Sequence, residues 1–511
     1  MNLAHLIDDH PADAVALISG DQRLTYGALR EQVAAVRGGL SAQGIGAGDR
    51  VVIAAVNDTL FVVMYLATIG VGAVAIPVNP LSPPPELLRE LVMVEPAAVV
   101  LDEISCPVWS MVPADQIPSS IRVVITSDRA LADRCGIADA VDVATLRAGD
   151  AVPITEVDAA EIAAMLFTSG TAGSPRAAML SHGNLRSNID QSLSSPEHTE
   201  ASDVVYGVLP MFHIFGLNVG LGVTLAAGAT LVLATRFDVA EALSLIADHD
   251  VTIVPGAPPV WVAFAESDAP ADAFAGVRSA VSGASRLPVS VAERIEERFG
   301  ITIAEGYGLT ETAPVVTSSW AAGERPRYGS VGRSIPGVEI RLVNDAGEDV
   351  PVGDAGEILI KGPNVFVGYF RDPETTERVL ADGWLHTGDV GMVDEDGWLY
   401  LVDRAKDLII VSGFNVYPAE VEEVLNLHPD VSESGVIGLV DDLDNESIRA
   451  YVVPAAGASP SADALIEFAS QHLARYKCPQ SVVFVEQLPR NLSGKLVRRH
   501  LEGTILEDSA S

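Results

Sequence analysis

The first 320 residues alternate short apolar runs with segments in which apolar positions recur at helical spacing. The apolar runs that read as strands are 50–55, 98–101, 122–126, 204–209, 229–233, 251–255 and 301–304. Helices are predicted from Leu24 to about Leu40 and over 239–248. Such β–α alternation predicts mainly parallel sheets with helices on both faces.

Two long stretches, Thr59 to Pro85 and Val204 to Thr235, contain no Asp, Glu, Lys or Arg. Their length alone is typical of membrane spans. Glycines and prolines interrupt both, however, and the first divides into a helix near 60–70 and a strand near 73–78. We therefore expect buried α/β core and no integral membrane span.

After residue 320 the predicted strands become short and closely spaced, at 338–343, 356–361, 390–393 and 398–402. This pattern predicts a small β-barrel or meander that completes the first domain. Helices and strands then alternate in a compact α+β unit at the C-terminus. We expect a large domain over 1–402 and a small one over 405–511, with the boundary at 403–404.

Composition excludes some partners. The 511 residues carry 69 acidic side chains against 32 Lys plus Arg, a formal net charge of -37. Such a surface repels nucleic acid, so any phosphate ligand needs locally placed cations. The three cysteines show no metal spacing or disulfide framework, and residues 1–10 do not resemble a signal peptide. A cytoplasmic location is expected.

One stretch, Phe167 to Arg176, combines glycines, hydroxyls and a cation between two apolar runs. Its backbone N–H groups and hydroxyls can surround an anion, and Arg176 has a forked donor set suited to phosphate. The residues concerned are Thr168, Ser169, Gly170, Thr171, Gly173 and Arg176. The spacing fits neither a Walker A loop nor a dinucleotide fingerprint. Taken alone, the stretch is equally consistent with a flexible turn.

A second candidate follows the predicted strand 301–304. Tyr307 lies between two glycines and can offer an exposed ring face to a base. Thr310 can donate to a phosphate, and Glu311 is a hard oxygen ligand suited to Mg²⁺. The alternative is a glycine-rich turn with a surface tyrosine.

Three further residues have both a functional and a structural interpretation. Asp389, on a predicted glycine turn, can accept both hydroxyls of a ribose, or it is simply a hairpin residue. His213 sits among apolar residues, where a histidine is more often packed than catalytic. Lys495, on a Ser-Gly turn, is either a mobile functional cation or part of a solvated basic tail.

Taken together and in this order, the motifs resemble the adenylate-forming superfamily of acyl- and aryl-CoA synthetases, luciferase-like enzymes and adenylation domains. The resemblance rests on the glycine loop, Gly-Tyr-Gly-Leu-Thr-Glu at 306–311, Thr-Gly-Asp at 387–389, Asp-Arg-x-Lys-Asp at 403–407 and the late Gly-Lys at 494–495. It implies ATP-dependent activation of a carboxylic acid as acyl-AMP, then transfer to CoA, with Mg²⁺ required.

The resemblance also implies a role for each matched residue. The loop 168–176 would hold the β- and γ-phosphates, while Tyr307 would stack on adenine beside Gly283 and Ala284. Thr310 would contact the α-phosphate, Glu311 would bind Mg²⁺, and Asp389 with Arg404 would hold the ribose. The small domain would turn about a hinge at 403–404, moving Lys495 away and Gly413 towards a thiol channel. His213 would line or gate the acyl pocket.

The loop departs from the superfamily's usual Thr-Ser-Gly-Thr-Thr-Gly-x-Pro-Lys-Gly at Ala172, Arg176 and Ala177. Arg176 keeps the charge but changes its reach. We therefore expect activity to survive, with weaker affinity for ATP or pyrophosphate.

The expected acyl pocket is apolar and offers no cation for a second carboxylate; its segments are 211–220, 254–264, 306–308 and 313–316. Small residues at Gly216, Gly220, Gly222, Gly256 and Ala257 suggest room for a medium- or long-chain fatty acid. The alternatives are an aryl acid of the 4-coumarate type, an acyl-AMP ligase that loads a carrier protein, and a luciferase-like oxygenase. The expected partners are the acid, ATP and CoA, with the chain acting as a monomer or homodimer.

Overall fold

The computed structural model describes residues 1–168, 176–344, 346–404, 409–411, 414–416, 418–440, 446–473, 477–490 and 496–503. In chain order the strands are β1 Val15–Ser19, β2 Gln22–Thr25, β3 Arg50–Ala54, β4 Val74–Pro77, β5 Ala98–Leu101, β6 Val123–Thr126, β7 Val141–Asp142, β8 Ile162–Thr168, β9 Arg176–Ser181, β10 Val204–Gly207, β11 Thr230–Leu233, β12 Ile253–Gly256, β13 Ser279–Ser282, β14 Ile303–Gly308, β15 Val315–Ser318, β16 Arg333–Ser334, β17 Glu339–Val343, β18 Ala355–Lys361, β19 Gly368–Tyr369, β20 Leu380–Ala381, β21 Trp384–Val393, β22 Leu399–Arg404, β23 Ile409–Val411, β24 Phe414–Val416, β25 Val431–Val440, β26 Glu446–Pro454 and β27 Ser481–Phe484.

The helices, again in chain order, are α1 Tyr26–Ala42, α2 Thr59–Gly70, α3 Pro84–Val94, α4 Ser105–Ser110, α5 Arg129–Arg134, α6 Val143–Arg147, α7 His182–Leu193, α8 Thr224–Ala227, α9 Val239–Asp248, α10 Pro258–Glu266, α11 Val289–Phe299, α12 Pro373–Val379, α13 Pro418–Asn426 and α14 Ala462–His472. Short 3₁₀ turns include Thr310–Thr312, and a π-helix spans Phe215–Val223.

Two large sheets form the N-terminal part. One has the order β16-β15-β14-β13-β12-β10-β11-β1-β2, and the other has β19-β9-β8-β4-β3-β5-β6-β7. Their central strands are parallel, whereas β2, β9, β15, β16 and β19 pair antiparallel at the edges. The predicted mainly parallel α/β architecture is confirmed.

The apolar runs are buried because each sheet is covered on both faces. One continuous core lies between the two sheets and includes α2, whose residues from Leu60 to Gly70 are all buried. A helix that is apolar all round needs such surroundings. The outer faces carry their own cores, one with α9 to α11 and the other with α3 to α5. Within the described residues, no helix is long and apolar enough to cross a membrane.

The strands predicted after residue 320 form a five-stranded antiparallel sheet in which β18 and β21 are central. Its core residues Ile358, Ile360 and Leu385 join the continuous core between the large sheets. The sheet therefore shares the core of the large body, and the bounds 1–402 of the first domain stay a prediction. The expected hinge residues 403–404 are the last two residues of β22, and residues 405–408 lie outside the described residues.

The C-terminal unit contains the sheet β25-β26-β27 with α13 and α14 packed on it around a separate small core. Val436, Ile448, Val421 and Leu465 are fully buried there. Among the described residues, an ion pair joins the unit to the large body, since Arg286 Nη2 lies 3.1 Å from Glu423 Oε2. Having its own core, the unit fits the prediction of a small α+β domain, although its boundary at 403–404 stays a prediction.

Candidate active site

The predicted adenine-binding residues meet at the carboxyl ends of neighbouring parallel strands. Gly283 and Ala284 directly follow β13, whose Ser282 pairs with Glu305 of β14. Tyr307 lies two residues further along β14. Ala284 has a φ of 72° and so adopts the left-handed conformation, which is uncommon for a residue with a side chain. Ligands of open α/β sheets bind at this kind of edge.

Gly283 packs closely against the side chain of Phe215. A Cβ placed on Gly283 would lie 3.0 Å from Cε1 of Phe215, so the ring and the glycine backbone are in close contact. Phe215 begins the π-helix, a type of helix that often occurs at functional sites. A larger residue at 283 would displace this ring.

Tyr307 corrects two expectations. It lies on the strand and not in a loop beyond it, because β14 continues to Gly308 and pairs with β15. Its side chain is buried, with 8% of its surface exposed, so the exposed ring that we predicted is wrong for this structure. The hydroxyl explains the burial: it donates to Oδ2 of Asp389 at 2.8 Å.

Asp389 likewise lies within a strand, β21, and not on an isolated glycine turn. The strand is irregular here: its register against β18 shifts, and Gly388 takes a φ of 68°. Thr387 Oγ1 accepts from the Asp389 N–H at 3.0 Å. The backbone of Asp389 pairs directly with that of Arg404, which brings the two predicted ribose-binding positions side by side.

Thr310 and Glu311 occupy a single 3₁₀ turn that follows β14. The Glu311 carbonyl accepts from the Phe366 N–H at 2.8 Å, and Glu311 Oε1 accepts from the Tyr369 hydroxyl at 2.6 Å. Burial and the neighbouring Glu311 charge raise the pKa of Tyr369, which keeps the phenol neutral and able to donate. Sequence reasoning missed Tyr369, since nothing in Val-Gly-Tyr-Phe marks it as a partner of Glu311.

Three asparagine side chains fix the chain directly after Glu311. Asn218 Nδ2 donates to the Ala313 carbonyl at 2.6 Å, and Asn188 Nδ2 donates to that of Val315 at 2.8 Å. Asn364 Nδ2 donates to the carbonyls of Thr312 and Val315 at 2.8 and 3.1 Å. All three asparagines are buried. A polar residue inside an apolar run, as at Asn218, was the sequence signal that could have revealed them.

The predicted phosphate loop joins β8 to β9. Thr168 pairs with Arg176 across this antiparallel hairpin, so the two residues flank the loop. Ser169, Gly170, Thr171 and Gly173 lie outside the described residues. Arg176 Nε lies 3.2 Å from Oδ2 of Asp372, and its guanidinium carbon lies 5.7 Å from the centre of the Tyr369 ring. Arg176 is thus held beside the residue that contacts Glu311.

His213 follows β10, and the segment between them is held by the buried side-chain amide of Asn57. Asn57 Nδ2 donates to the Gly207 and Leu209 carbonyls at 3.1 and 2.7 Å, and its Oδ1 accepts from the Met211 N–H at 2.9 Å. Burial lowers the pKa of His213, which favours the neutral imidazole. Its proposed place at the acyl pocket stays a prediction, and Asn57 is a further positioning residue that the sequence did not reveal.

The remaining predicted residues, Lys495 and Gly413, lie outside the described residues. Among the residues that the structure describes, no group of three or more His, Cys, Asp or Glu side chains could hold a metal ion. A single carboxylate nevertheless fits Mg²⁺, which is commonly bound by one or two carboxylates together with substrate phosphates and water. Glu311, which accepts a hydrogen bond from the Tyr369 hydroxyl, would be such a ligand, and this role stays a prediction.

Family comparisons define the class of protein to which this site belongs. Residues 3–370 match the AMP-binding enzyme family, and residues 420–495 match the AMP-binding enzyme C-terminal domain. The chain therefore belongs to this family of adenylate-forming acyl-CoA ligases. The predicted resemblance and enzyme class are confirmed, and with them the use of ATP, Mg²⁺ and CoA.

Individual relatives cover nearly the whole chain. Feruloyl-CoA synthase of Amycolatopsis sp is 36% identical, over 95% of this chain and 94% of that protein. Long-chain-fatty-acid–CoA ligase of Bacillus subtilis (strain 168) is 30% identical, over 96% and 91%. The crystal structure of ATP-bound MatB from Rhodopseudomonas palustris superimposes with a TM-score of 0.87 at 32% identity, covering 99% of both chains. The predicted two-part fold is confirmed by this similarity.

Proposed function

We propose that the chain joins an apolar monocarboxylic acid to CoA by way of acyl-AMP, using the residues grouped around Tyr307, Glu311 and Asp389. The observation that carries this proposal is the hydrogen bond between Tyr307 and Asp389, at 2.8 Å. It joins the predicted adenine and ribose positions, which come from different sheets. Glu311 lies four residues after Tyr307, in the 3₁₀ turn Thr310–Thr312 that follows β14.

In the first step, an oxygen of the substrate carboxylate attacks the α-phosphorus of ATP, and the bond to the pyrophosphate leaving group breaks. When bound, Mg²⁺ would neutralise phosphate charge in this step. Tyr307, Asp389 and Arg404 would hold the nucleoside, and Thr310 would donate to the α-phosphate. Lys495 would lie between two anions that repel each other and so stabilise the charge that develops there.

In the second step, the CoA thiolate attacks the acyl carbonyl, and AMP leaves with the bonding electron pair. For this step the small domain would turn about the hinge at 403–404 and bring Gly413 towards the thiol. Arg286 and Glu423, which form an ion pair between the two parts, would separate if the domain turns. The cytoplasmic location and the monomeric or homodimeric state remain predictions of the sequence.

Packing around the glycines bears on the acid. A Cβ on Gly216 would lie 2.2 Å from the Pro210 carbonyl oxygen, and one on Gly222 would lie 2.9 Å from Asn218 Oδ1. At these two positions, the space that a side chain would take is therefore already filled by neighbouring atoms. A Cβ on Gly256 would similarly lie 3.1 Å from Nε1 of the buried Trp261 side chain. This favours a compact aryl acid over the fatty acid that the sequence suggested first.

The relatives support both acid classes by name, because one is a feruloyl-CoA synthase and another a long-chain-fatty-acid–CoA ligase. The fatty acid is therefore kept as the second candidate. Gly220 supports it, since a Cβ there would meet only the Phe215 carbonyl oxygen, at 3.8 Å. Of the glycines compared, Gly220 is therefore the one with free space beside the π-helix.

The test is a panel of carboxylic acids that contains hydroxycinnamates, benzoates and fatty acids of about six to eighteen carbons. Pyrophosphate release is measured with ATP and Mg²⁺, with and without CoA. We expect release that depends on the acid and matches CoA consumption. Lys495→Ala should abolish release while retaining thioester formation from supplied acyl-AMP.

Failure of every acid to release pyrophosphate would contradict adenylation. Release without CoA consumption would instead favour a carrier-protein ligase or a luciferase-like oxygenase, and oxygen uptake would separate these two. A preference for aryl over fatty acids, judged by kcat/KM, would support the packing argument, and the reverse order would overturn it.

A further inference from the structure

Tyr369 lies between two predicted phosphate-side residues that are distant in sequence. Its hydroxyl donates to Glu311 Oε1 at 2.6 Å, and the face of its ring lies under the Arg176 guanidinium at 5.7 Å. Only 9% of the tyrosine is exposed. None of the superfamily motifs found in the sequence contains this residue. The structure therefore gives the predicted Mg²⁺ ligand a partner that the motifs do not include.

The backbone holds Tyr369 firmly in this place. β19 pairs with β9, so that Tyr369 lies opposite Ala178, two residues from Arg176. The Tyr369 N–H donates to Thr376 Oγ1 at 2.9 Å. Gly368 before it has a φ of 143°, and a Cβ there would lie 2.6 Å from Thr376 Cγ2. A larger residue at 368 would thus displace β19, and with it the phenol.

Side-chain packing fixes the ring as well. The Phe366 ring meets the Tyr369 ring edge to face, with centroids 4.9 Å apart and an interplanar angle of 73°. The Phe366 N–H also donates to the Glu311 carbonyl at 2.8 Å. Segment 366–369 therefore contacts Glu311 at both its backbone and its carboxylate. A hydrogen bond to one carboxylate oxygen restricts rotation of the carboxylate plane and so determines where the other oxygen points.

We propose that Tyr369 is a positioning residue that orients the Glu311 carboxylate for Mg²⁺ bound with the nucleotide. The inference rests on the proposed function, because it takes Glu311 as the Mg²⁺ ligand. Partners that orient a metal ligand typically contribute about 10- to 100-fold to metal affinity. Tyr369 acts through Glu311 and has no direct contact with the reacting atoms in this proposal.

The variant Tyr369→Phe isolates the hydroxyl. It keeps the ring that packs on Phe366 and lies under Arg176, and it removes the donor to Glu311. Tyr206→Phe is a matched control, since Tyr206 is also buried in a strand but its hydroxyl has no hydrogen-bond partner among the described residues. The control variant should behave like the wild type in every measurement below.

Binding of α,β-methylene-ATP, which cannot release pyrophosphate, is measured by calorimetry at increasing Mg²⁺ and again in EDTA. For Tyr369→Phe we expect the half-saturating Mg²⁺ concentration to rise about tenfold, with unchanged affinity in EDTA. The electron paramagnetic resonance spectrum of Mn²⁺ in the ternary complex should also broaden, because the ligand geometry becomes less uniform. Neither readout depends on turnover.

Equal losses of affinity with Mg²⁺ and in EDTA would overturn the inference, as they would show a structural role. Wild-type behaviour of Tyr369→Phe would overturn it too. Should Tyr369→Phe fold poorly, the Mg²⁺ titration is made with Tyr369→His, which keeps a ring and a donor, and with Tyr369→Leu, which has neither. Equal half-saturating Mg²⁺ concentrations for these two variants would overturn the inference, and a higher one for Tyr369→Leu alone would support it. Absence of Mg²⁺-dependent binding in the wild type would instead refute the proposed function.

Discussion

The Tyr307 hydroxyl donates to Oδ2 of Asp389 across 82 residues of sequence, at 2.8 Å. This contact joins β14 of one large sheet to β21 of the five-stranded sheet. It places the predicted adenine and ribose positions next to each other. The proposed nucleoside site therefore depends on a contact between two different sheets.

The first prediction concerns this contact. Tyr307→Phe keeps the ring and removes the donor, so that the Asp389 carboxyl loses one hydrogen-bond partner. We expect the KM for ATP to rise about threefold to tenfold, with a smaller change in kcat, since one hydrogen bond contributes about 1 kcal/mol. Initial rates of pyrophosphate release at varied ATP test this, with Tyr206→Phe as control. A KM equal to that of the wild type would show that Asp389 needs no orientation by Tyr307.

Much of the fold could be predicted from the sequence, because the spacing of apolar residues matches the positions that are buried in the strands and helices. Strand 98–101 and helix 239–248 have the predicted bounds, since an apolar run and an amphipathic period define them without ambiguity. The glycines of Gly-Tyr-Gly at 306–308 favour a turn, so the sequence predicts a loop there. Pairing with β15 overrides that local preference, and no local pattern can report a partner strand.

Candidate site residues could be predicted from the sequence only where they belong to short sequence motifs. Glu311 and Asp389 stand in such motifs, whereas Tyr369 and Asn364 act through hydrogen bonds to residues more than 50 positions away. An aromatic residue in an apolar segment is expected to be core, and Tyr369 is indeed buried. Its proposed function depends on the direction of one hydroxyl, which depends on the register of β19 against β9.

The second prediction concerns the asparagine that supports the chain after Glu311. Asn364→Ala removes an amide that donates to the Thr312 and Val315 carbonyls and leaves both without this donor. We expect a loss of about 1–3 kcal/mol in unfolding free energy and a fall of about tenfold in kcat/KM for ATP. Chemical unfolding and pyrophosphate release measure the two effects. Asn344→Ala, at an exposed hairpin residue, is the control, and an unchanged kcat/KM for Asn364→Ala would separate this support from catalysis.

The third prediction is a pH dependence of stability that comes from Glu90. This glutamate on α3 is 5% exposed, and its Oε2 has no partner among the described residues. Burial, followed by the charge of Glu86, raises the pKa of Glu90 to about 8. The folded protein therefore binds this proton more tightly than the unfolded chain does. Its stabilising contribution is present below pH of about 4.5 and is lost as the pH rises through about 8.

Glu90→Gln keeps the shape and cannot ionise, so its stability relative to the wild type should increase steadily from about pH 5 to about pH 9. Apparent unfolding temperatures across this range measure the difference, and the exposed Glu297→Gln should show no such trend. A constant difference between Glu90→Gln and the wild type at all pH values would show that Glu90 does not bind a proton in this range.

The fourth prediction concerns Arg176, which stands where the superfamily usually has lysine. Its Nε pairs with Asp372 at 3.2 Å, and its guanidinium lies over the Tyr369 ring. Arg176→Lys keeps the charge but replaces the planar group with a point charge on a flexible stem. Because lysine can leave Asp372 for a phosphate without losing a stacked arrangement, we expect turnover equal to or somewhat above that of the wild type. Arg176→Met, which removes the charge, should lower kcat/KM for ATP by about tenfold or more.

Steady-state kinetics of the three proteins test this, with Arg186→Lys on α7 as a matched control, since that arginine pairs with Asp190 on the surface. If Arg176→Lys loses most activity although Arg186→Lys does not, then the arginine has a task beyond its charge. The contacts identify that task in advance: Arg176 would hold Tyr369, and through it Glu311, in place. In that case the Mg²⁺ requirement of Arg176→Lys should rise together with the loss of turnover, whereas a simple phosphate contact would change the KM for ATP alone.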